Sequence, residues 1–206
     1  IQTVQGTVIS TREPRVQRTT VTESTSVQRQ VARRVISSSA RQVGRRDPVS
    51  QAFFVDQEDG MFITSIDLFF SSKSSSLPVT LQIRTMFNGY PTEVVLPFGE
   101  VVKQASDIST STDATTATTF TFPSPVFVQA NTEYAFVALC NNDDYTMYTA
   151  RMGQTTLDAS RLISKNPYLS SMFKSQNGGT WTAEQNEDVK FKIKRASFTE
   201  NTEGNI

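Results

Sequence analysis

Aromatic residues are confined to one part of this chain. All 20 of them lie at or after Phe53, and none lies in the first 52 positions of the 206-residue sequence. A segment without aromatics, whose apolar residues are scattered Val and Ile, cannot bury enough surface to offset the conformational entropy lost on folding. The sequence therefore predicts a folded domain after this segment, and it predicts that the first segment needs a partner surface.

The clearest strand pattern covers residues 119–140. Polar and aromatic residues alternate at its start, Pro123 and Pro125 interrupt the alternation, and a turn-forming cluster follows at 129–132. Residues 133–140 carry apolar side chains on both faces, which is typical of a strand covered on both sides. We therefore expect a central core strand at 133–140, preceded by a strand that kinks or switches sheets at the two prolines.

Alternation predicts further strands in the same region. In residues 61–71, five side chains are expected to share one face: Phe62, Thr64, Ile66, Leu68 and Phe70. Other strands are expected at 52–55, at 78–87 and at 92–102, the last of them broken by Pro97 and Gly99. The Ser/Thr/Asp/Ala tract at 106–118 is expected to be a mobile surface loop or a ragged edge, and 161–175 a long irregular excursion whose apolar residues cover a core edge or a neighbouring subunit.

The last strand is predicted within residues 189–198. Val189, Phe191 and Ile193 are expected to point inward and the intervening Lys190, Lys192 and Lys194 outward. A row of lysines is a usual protection of an edge strand. Strands at this spacing predict an all-β domain over residues 48–198, an antiparallel jelly-roll-like β-sandwich, while 199–206 are expected to begin a linker in a longer polypeptide.

Residues 1–47, here called the N-terminal arm, differ from the rest in charge. The arm holds nine Arg and no Lys against three acidic residues, a net charge of +6, whereas the remainder of the chain carries −6. The two parts are therefore electrostatically complementary. Arginine suits fixed ion pairs better than the strongly hydrated lysine does. This composition favours an arm that docks on a protein surface over a solvated basic tail.

Valines recur every fourth residue in the arm, at Val27, Val31 and Val35. This spacing fits one face of a strand and also one stripe of a helix, so an extended arm and a helix within residues 26–43 are both open. The many β-branched residues favour the extended arm. The residues predicted to bind the partner by strand addition are the three valines and the intervening arginines, Arg29, Arg33 and Arg34.

Catalytic and metal-binding patterns are weak. The chain has no His and one cysteine, Cys140, which excludes His-dependent triads, His-ligated zinc and a disulfide framework. The acidic turns at 56–60 and 141–144 lack the Asp-x-Asp-x-Asp-Gly spacing of a calcium loop. The stretch 175–181 reads best as a simple β-turn. We expect no enzyme activity, no cofactor and no metal.

The order of several segments resembles a domain that recurs in large structural proteins of contractile-tailed bacteriophages. These segments include DPVSQAF, GMFITSIDLFF, PVTLQIR, NGYPTEVVLPFGEV and NTEYAFVALCNNDDY, and the resemblance covers nearly all of residues 47–198. It identifies the chain with baseplate wedge and tail-pin type proteins, which are modular, mostly β and oligomeric.

The resemblance implies a structural module of the virion tail baseplate, assembled in the host bacterial cytoplasm. Its expected partners are other baseplate and tail proteins and further copies of the same chain, with no nucleic acid and no membrane. The alternative is a carbohydrate-binding β-sandwich for attachment to a host-surface glycan. Exposed Trp and Tyr side chains would favour that alternative, and the candidates are Trp181, Tyr90, Tyr145 and Tyr148.

Overall fold

The computed structural model describes residues 46–165 and 170–198, and the fold is stated for these residues alone. They form twelve strands: β1 (Arg46–Val55), β2 (Met61–Ser72), β3 (Val79–Phe87), β4 (Tyr90–Lys103), β5 (Ala117–Val128), β6 (Thr132–Cys140), β7 (Thr146–Met147), β8 (Thr149–Arg151), β9 (Met172–Lys174), β10 (Thr182–Glu184), β11 (Glu187–Val189) and β12 (Phe191–Arg195). Every pair of these strands is antiparallel. The predicted all-β class is confirmed.

Two main sheets share one hydrophobic core. The larger has six strands in the order β10-β9-β1-β6-β3-β4, and the smaller has the order β12-β2-β5 with β7 also paired to β2. Strands β8 and β11 form a separate pair. The core between the sheets takes Phe136 from β6, Leu81 from β3, Leu68 from β2 and Phe120 from β5. The chain therefore passes repeatedly from one sheet to the other.

Strand β6 is central, as predicted. It lies between β1 and β3, and its residues 134–139 are all buried. Tyr134 and Phe136 belong to the core between the sheets, while Val137 and Leu139 belong to a smaller cluster on the opposite face. Alternate residues of a strand point to opposite faces, so a strand with two buried faces needs the consecutive apolar residues that the sequence supplies.

The outer face of the larger sheet is covered by residues 173–181. Phe173 and Trp181 pack against Val137 and Leu139. The guanidinium of Arg84 donates to the carbonyl oxygen of Gly178 at 3.3 Å and so ties this covering segment to β3. The expectation of an irregular excursion through 161–175 was wrong at its end, because residues 172–174 form β9, which pairs with both β1 and β10.

The kink predicted at Pro123 and Pro125 is confirmed. Ile63 on β2 lies opposite Val126 on β5, whereas Ser65 lies opposite Thr121. An advance of two residues along β2 therefore corresponds to five residues along β5, which is a bulge in the pairing. Because of the same bulge, the prediction of which β2 side chains share the core face was wrong at the start of the strand. Ile63 is buried in the core with Ile66, Leu68 and Phe70, whereas Phe62 is exposed, because the bulge reverses which side of the strand faces the core.

Two other expectations need correction. The first strand begins at Arg46 rather than at residue 52, because its pairing with β6 extends to Cys140. The tract 106–118 lies at the surface but is anchored. Thr118 accepts a hydrogen bond from the backbone N–H of Ser109 and donates to the carbonyl oxygen of the same residue, and Ile108 is fully buried.

Strand β12 matches its prediction in part, because it covers residues 191–195 rather than the whole of 189–198. It ends the smaller sheet beside β2, with Phe191 and Ile193 packed against the core. Its lysines, Lys192 and Lys194, are exposed. The residues before it, 187–189, form the separate strand β11.

Candidate interaction surface

Three phenylalanines form an exposed aromatic group, here called the phenylalanine cluster. The ring centroids of Phe62 and Phe127 lie 5.0 Å apart, and those of Phe62 and Phe198 lie 5.5 Å apart in an edge-on arrangement. Their exposed fractions are 37%, 47% and 70% for Phe62, Phe127 and Phe198. Contiguous apolar surface of this kind marks protein-binding sites more often than scattered single residues do.

The local structure explains why these rings meet. Phe62 on β2 stands directly opposite Phe127 on β5, and both lie beyond the bulge that turns Phe62 away from the core. The chain after β12 continues beside β2, where the N–H of Ala196 donates to the carbonyl oxygen of Phe62 at 2.8 Å. That hydrogen bond brings Phe198 to the same surface.

A second apolar surface follows the β4 edge, which we define as strand β4, the last strand of the larger sheet. Within residues 46–165 and 170–198, β4 pairs with β3 alone and ends the larger sheet. Three of its side chains are largely exposed: Val94 at 60%, Phe98 at 61% and Val102 at 52%. An edge strand with exposed apolar side chains offers both backbone hydrogen-bonding groups and contact area to another chain.

Phe98 projects from a bulge in β4. The register with β3 moves from Gln82 opposite Glu100 to Arg84 opposite Val95, so residues 96–99 have no partner on β3. Phe98 has a φ of +62°, a backbone conformation that side chains other than glycine rarely adopt. The fold thus holds a phenylalanine outward at a local cost in backbone energy, and such strain clusters at functional sites. The predicted break near Pro97 and Gly99 is confirmed as this bulge.

The β4 edge carries exposed acidic side chains. Glu93 and Glu100 are both exposed, and no ion pair to either is present among the residues that the structure describes. One oxygen of Glu100 accepts a hydrogen bond from the side chain of Gln82 at 2.7 Å, which orients the carboxylate. Strand β12, which ends the smaller sheet, is basic instead, because Lys192 and Arg195 are exposed, while Lys194 is paired with Asp67 at 3.1 Å.

Most of the tryptophan and tyrosine side chains are buried or are hydrogen-bonded within the fold. Trp181 is only 8% exposed. The hydroxyl groups of Tyr145 and Tyr148 donate to the carbonyl oxygens of Leu77 and Ser111, each at 2.6 Å. Tyr90 is the most exposed of these rings, and it packs against Phe173 with centroids 5.8 Å apart.

A buried carboxylate lies where β8, β9 and β11 meet. Glu187 accepts hydrogen bonds from Thr149 at 2.7 Å and from Arg151 at 2.9 Å, and Lys174 lies 3.4 Å away. Burial raises the pKa of Glu187, but the Thr149 hydrogen bond and the charges of Lys174 and Arg151 outweigh it and hold that pKa below its ordinary value. This arrangement stabilises the junction of three short strands.

Two concave sites accompany this junction. A mainly apolar cavity of about 240 Å³ lies at one end of the core and is lined by residues such as Phe70, Met172 and Cys140. A wider cleft of about 850 Å³ is lined by residues that include Tyr148, Arg161 and Asp158. Hydrogen bonds from Thr156 and Ser160 lower the pKa of Asp158 to about 2 and fold the loop that borders this cleft.

The predicted partner-binding residues lie outside the described residues. This applies to Arg29, Arg33, Arg34, Val27, Val31 and Val35. The acidic stretches 56–60 and 141–144 form turns or bends between strands. Within residues 46–165 and 170–198, no three His, Cys, Asp or Glu side chains are grouped so as to hold a metal ion. The thiol of Cys140 donates to the carbonyl oxygen of Asn142 at 2.8 Å.

Both exposed surfaces were missed from the sequence. Strand patterns assigned Phe62 to the core face, and nothing in the pattern of β4 showed that it ends a sheet. The only available signals were Pro97 and Gly99 in β4 and the two prolines in β5, which predict irregular strands but do not indicate which side chains those irregularities expose.

No family model, curated protein or solved structure matches this chain. Within the part of the chain that the structure describes, no helix is long and apolar enough to cross a membrane.

Proposed function

We propose that this chain is a structural module of a contractile-tailed bacteriophage baseplate, in which it joins subunits within the virion. We further propose that its two sheets form a jelly-roll-like sandwich and that the N-terminal arm extends from it to dock on a neighbouring subunit. The assignment to phage tails rests on the resemblance of residues 47–198. The proposed role requires no catalytic step and no cofactor.

The single observation that carries the role is the chemistry of the exposed surface. Six of the large exposed apolar side chains are phenylalanines and valines grouped in the phenylalanine cluster and on the β4 edge. These side chains cannot hydrogen-bond to a polar ligand, and aromatic rings contribute strongly when another protein buries them. Surface of this kind supports contact with protein subunits.

The alternating course of the chain supports the jelly-roll-like arrangement. Strands β1, β3 and β6 lie in the larger sheet, and β2 and β5 in the smaller. Each of the steps β1 to β2, β2 to β3, β4 to β5 and β5 to β6 therefore crosses between sheets. Repeated crossing is typical of Greek-key sandwiches.

A carbohydrate-binding module is the second candidate, and the cleft beside Tyr148 favours it. Glycan sites commonly stack a sugar on an exposed aromatic ring that also offers a polar group. Here Trp181 is buried and the hydroxyls of Tyr145 and Tyr148 are bonded internally. Of these three rings, Tyr148 is the one that lines the cleft, and its hydroxyl already donates to the carbonyl oxygen of Ser111.

The test combines localisation with binding. An antibody raised against the full chain should label the baseplate end of contractile tails, and the purified chain should self-associate or bind tail proteins in sedimentation experiments. Labelling elsewhere on the particle, or none, would contradict the baseplate role. Binding of the monomeric chain to a host-surface glycan, removed by Tyr148→Ala, would replace it with the carbohydrate-binding function.

A further inference from the structure

We propose that the β4 edge is the docking site for the N-terminal arm of a second copy of this chain. The inference rests on the proposed function, since it names the partner and the surface for contact between subunits. The surface is strand β4 of one copy, and the segment that binds it is the N-terminal arm of another copy.

The other terminal strands fit the arm less well. Strand β10 offers only the three residues Thr182–Glu184. On strand β12, Lys194 is paired with Asp67 at 3.1 Å, but Lys192 and Arg195 are exposed and would repel an arm of charge +6. Strand β5 has two exposed prolines at its bulge, which cannot donate hydrogen bonds to an added strand. Strand β4 is 14 residues long and combines exposed acidic and apolar side chains.

Charge complementarity supports this edge. Glu93 and Glu100 are exposed, and among the described residues neither is held in an ion pair. The arm supplies Arg29, Arg33 and Arg34, whose planar guanidinium groups bind carboxylates with two parallel hydrogen bonds. Without such pairs, the carboxylates of β4 and the guanidinium groups of the arm would be in contact with water instead.

The apolar side chains match as well. Val27, Val31 and Val35 fall on one face of an extended chain, together with Arg29 and Arg33. The β4 edge offers Val94, Phe98 and Val102 as the opposing surface. An arm of this pattern places apolar contact and positive charge against the same strand, which is how an added strand acquires specificity beyond its backbone hydrogen bonds.

The bulge at residues 96–99 limits how the arm can pair. The register with β3 shifts a second time between Arg84 and Met86, and the N–H of Val94 donates to the side-chain oxygen of Thr92 at 3.0 Å. The regular run of β4 that can form backbone hydrogen bonds to the arm is therefore 100–103. Proline and bulges on an edge strand protect it against indiscriminate pairing with other strands. An edge interrupted in this way selects an arm by its side chains, and Phe98 is the side chain held furthest from regular strand geometry.

Cross-linking between two differently tagged full-length chains tests the proposal. Both carry Cys140→Ser, one carries Val94→Cys and the other Val31→Cys, so a disulfide between the tags requires an arm from one copy on the edge of another. The control replaces Val94→Cys by Lys192→Cys on β12. We expect the Val94 pair to cross-link and the Lys192 pair to remain largely unlinked.

Charge exchange provides the second measurement. Glu93→Lys with Glu100→Lys should weaken self-association by on the order of tenfold or more, since opposed charges at an interface are replaced by like charges. Adding Arg29→Glu, Arg33→Glu and Arg34→Glu to that variant should restore association. Unchanged melting of each variant would show that the domain itself is intact.

The outcomes separate the inference from the proposed function. Self-association that persists in the Glu93/Glu100 variant, or that cross-links through Lys192, overturns the β4 edge and leaves the baseplate role in place. A chain that stays monomeric and forms no cross-link overturns arm exchange between copies. Antibody labelling of tails decides the baseplate role independently of both results.

Discussion

Gly60 lies directly against the backbone of Val128. A Cβ atom at Gly60 would stand 2.4 Å from the carbonyl oxygen of Val128, closer than any carbon can approach it without displacement. Gly60 also has a φ of +76°, in the turn between β1 and β2. This turn therefore sets how closely the start of β2 approaches the end of β5, next to Phe127 of the phenylalanine cluster.

Gly60→Ala is expected to destabilise the domain by roughly 2 to 5 kcal/mol, from the positive φ and the steric overlap together. The matched control is Gly89→Ala, where φ is +79° but no atom lies within 4 Å of the added Cβ. That variant should lose about 1 to 2 kcal/mol from the backbone alone. Denaturant unfolding measures both, and equal losses would show that the contact with Val128 relaxes without cost.

Ser50→Ala is expected to leave the free energy of unfolding unchanged or to raise it by up to about 1 kcal/mol, because the buried Ser50 hydroxyl has no hydrogen-bond partner among the described residues. Ser175→Ala is the matched control. The Ser175 hydroxyl accepts hydrogen bonds from the N–H groups of Asn177 and Gly178, at 3.2 and 2.9 Å. Its removal should cost about 1 to 2 kcal/mol. Similar losses in both variants would argue that Ser50 has a partner after all.

Much of the fold follows from local patterns. Strand β6 was predicted because consecutive apolar residues require two covered faces, and the kink of β5 because its prolines cannot join a regular ladder. Strands of two or three residues, such as β9 and β11, were missed since so short a run shows no periodicity.

The candidate surface was less predictable for a different reason. Phe62 is exposed because a bulge shifts its pairing with a strand about 60 positions later, and β4 is exposed because it ends the strand order of its sheet. Both are consequences of long-range pairing, which residue alternation within one strand does not contain. The partner-binding residues predicted from the sequence lie in the arm, outside the described residues, so their role in binding stays a prediction.

The pH dependence of stability should report the Glu187 site. Its pKa in the folded chain lies below the ordinary value of 4.5, so its contribution is fully present above about pH 4.5 and is lost as pH falls through the folded-state pKa. Glu187→Gln should therefore reduce the loss of stability on acidification. Thr149→Val should raise the folded-state pKa and make that loss smaller, because it removes the Thr149 hydrogen bond.

Chemical denaturation across the acid range measures the Glu187 effect, with Glu58→Gln in the exposed turn after β1 as the control. The control removes an exposed carboxylate that forms no ion pair among the described residues. If Glu187→Gln has the same acid profile as the unmodified chain, the ion pairs with Arg151 and Lys174 do not stabilise the junction.

Phe198→Ser is expected to weaken binding to the partner subunit while leaving the melting temperature of the domain nearly unchanged. The ring is 70% exposed, so little of its area contributes to folding, but it completes the phenylalanine cluster beside Phe62. An aromatic side chain at the centre of an interface commonly contributes about 2 kcal/mol or more, which corresponds to a loss of affinity of roughly 30-fold.

Phe87→Ser is the matched control, since Phe87 is also 70% exposed but lies at the β3–β4 turn, outside the cluster. Sedimentation of the full chain, alone and with tail proteins, measures both variants. Equal weakening by the two substitutions would mean that general surface hydrophobicity drives association, and no weakening by Phe198→Ser would remove the cluster from the interface.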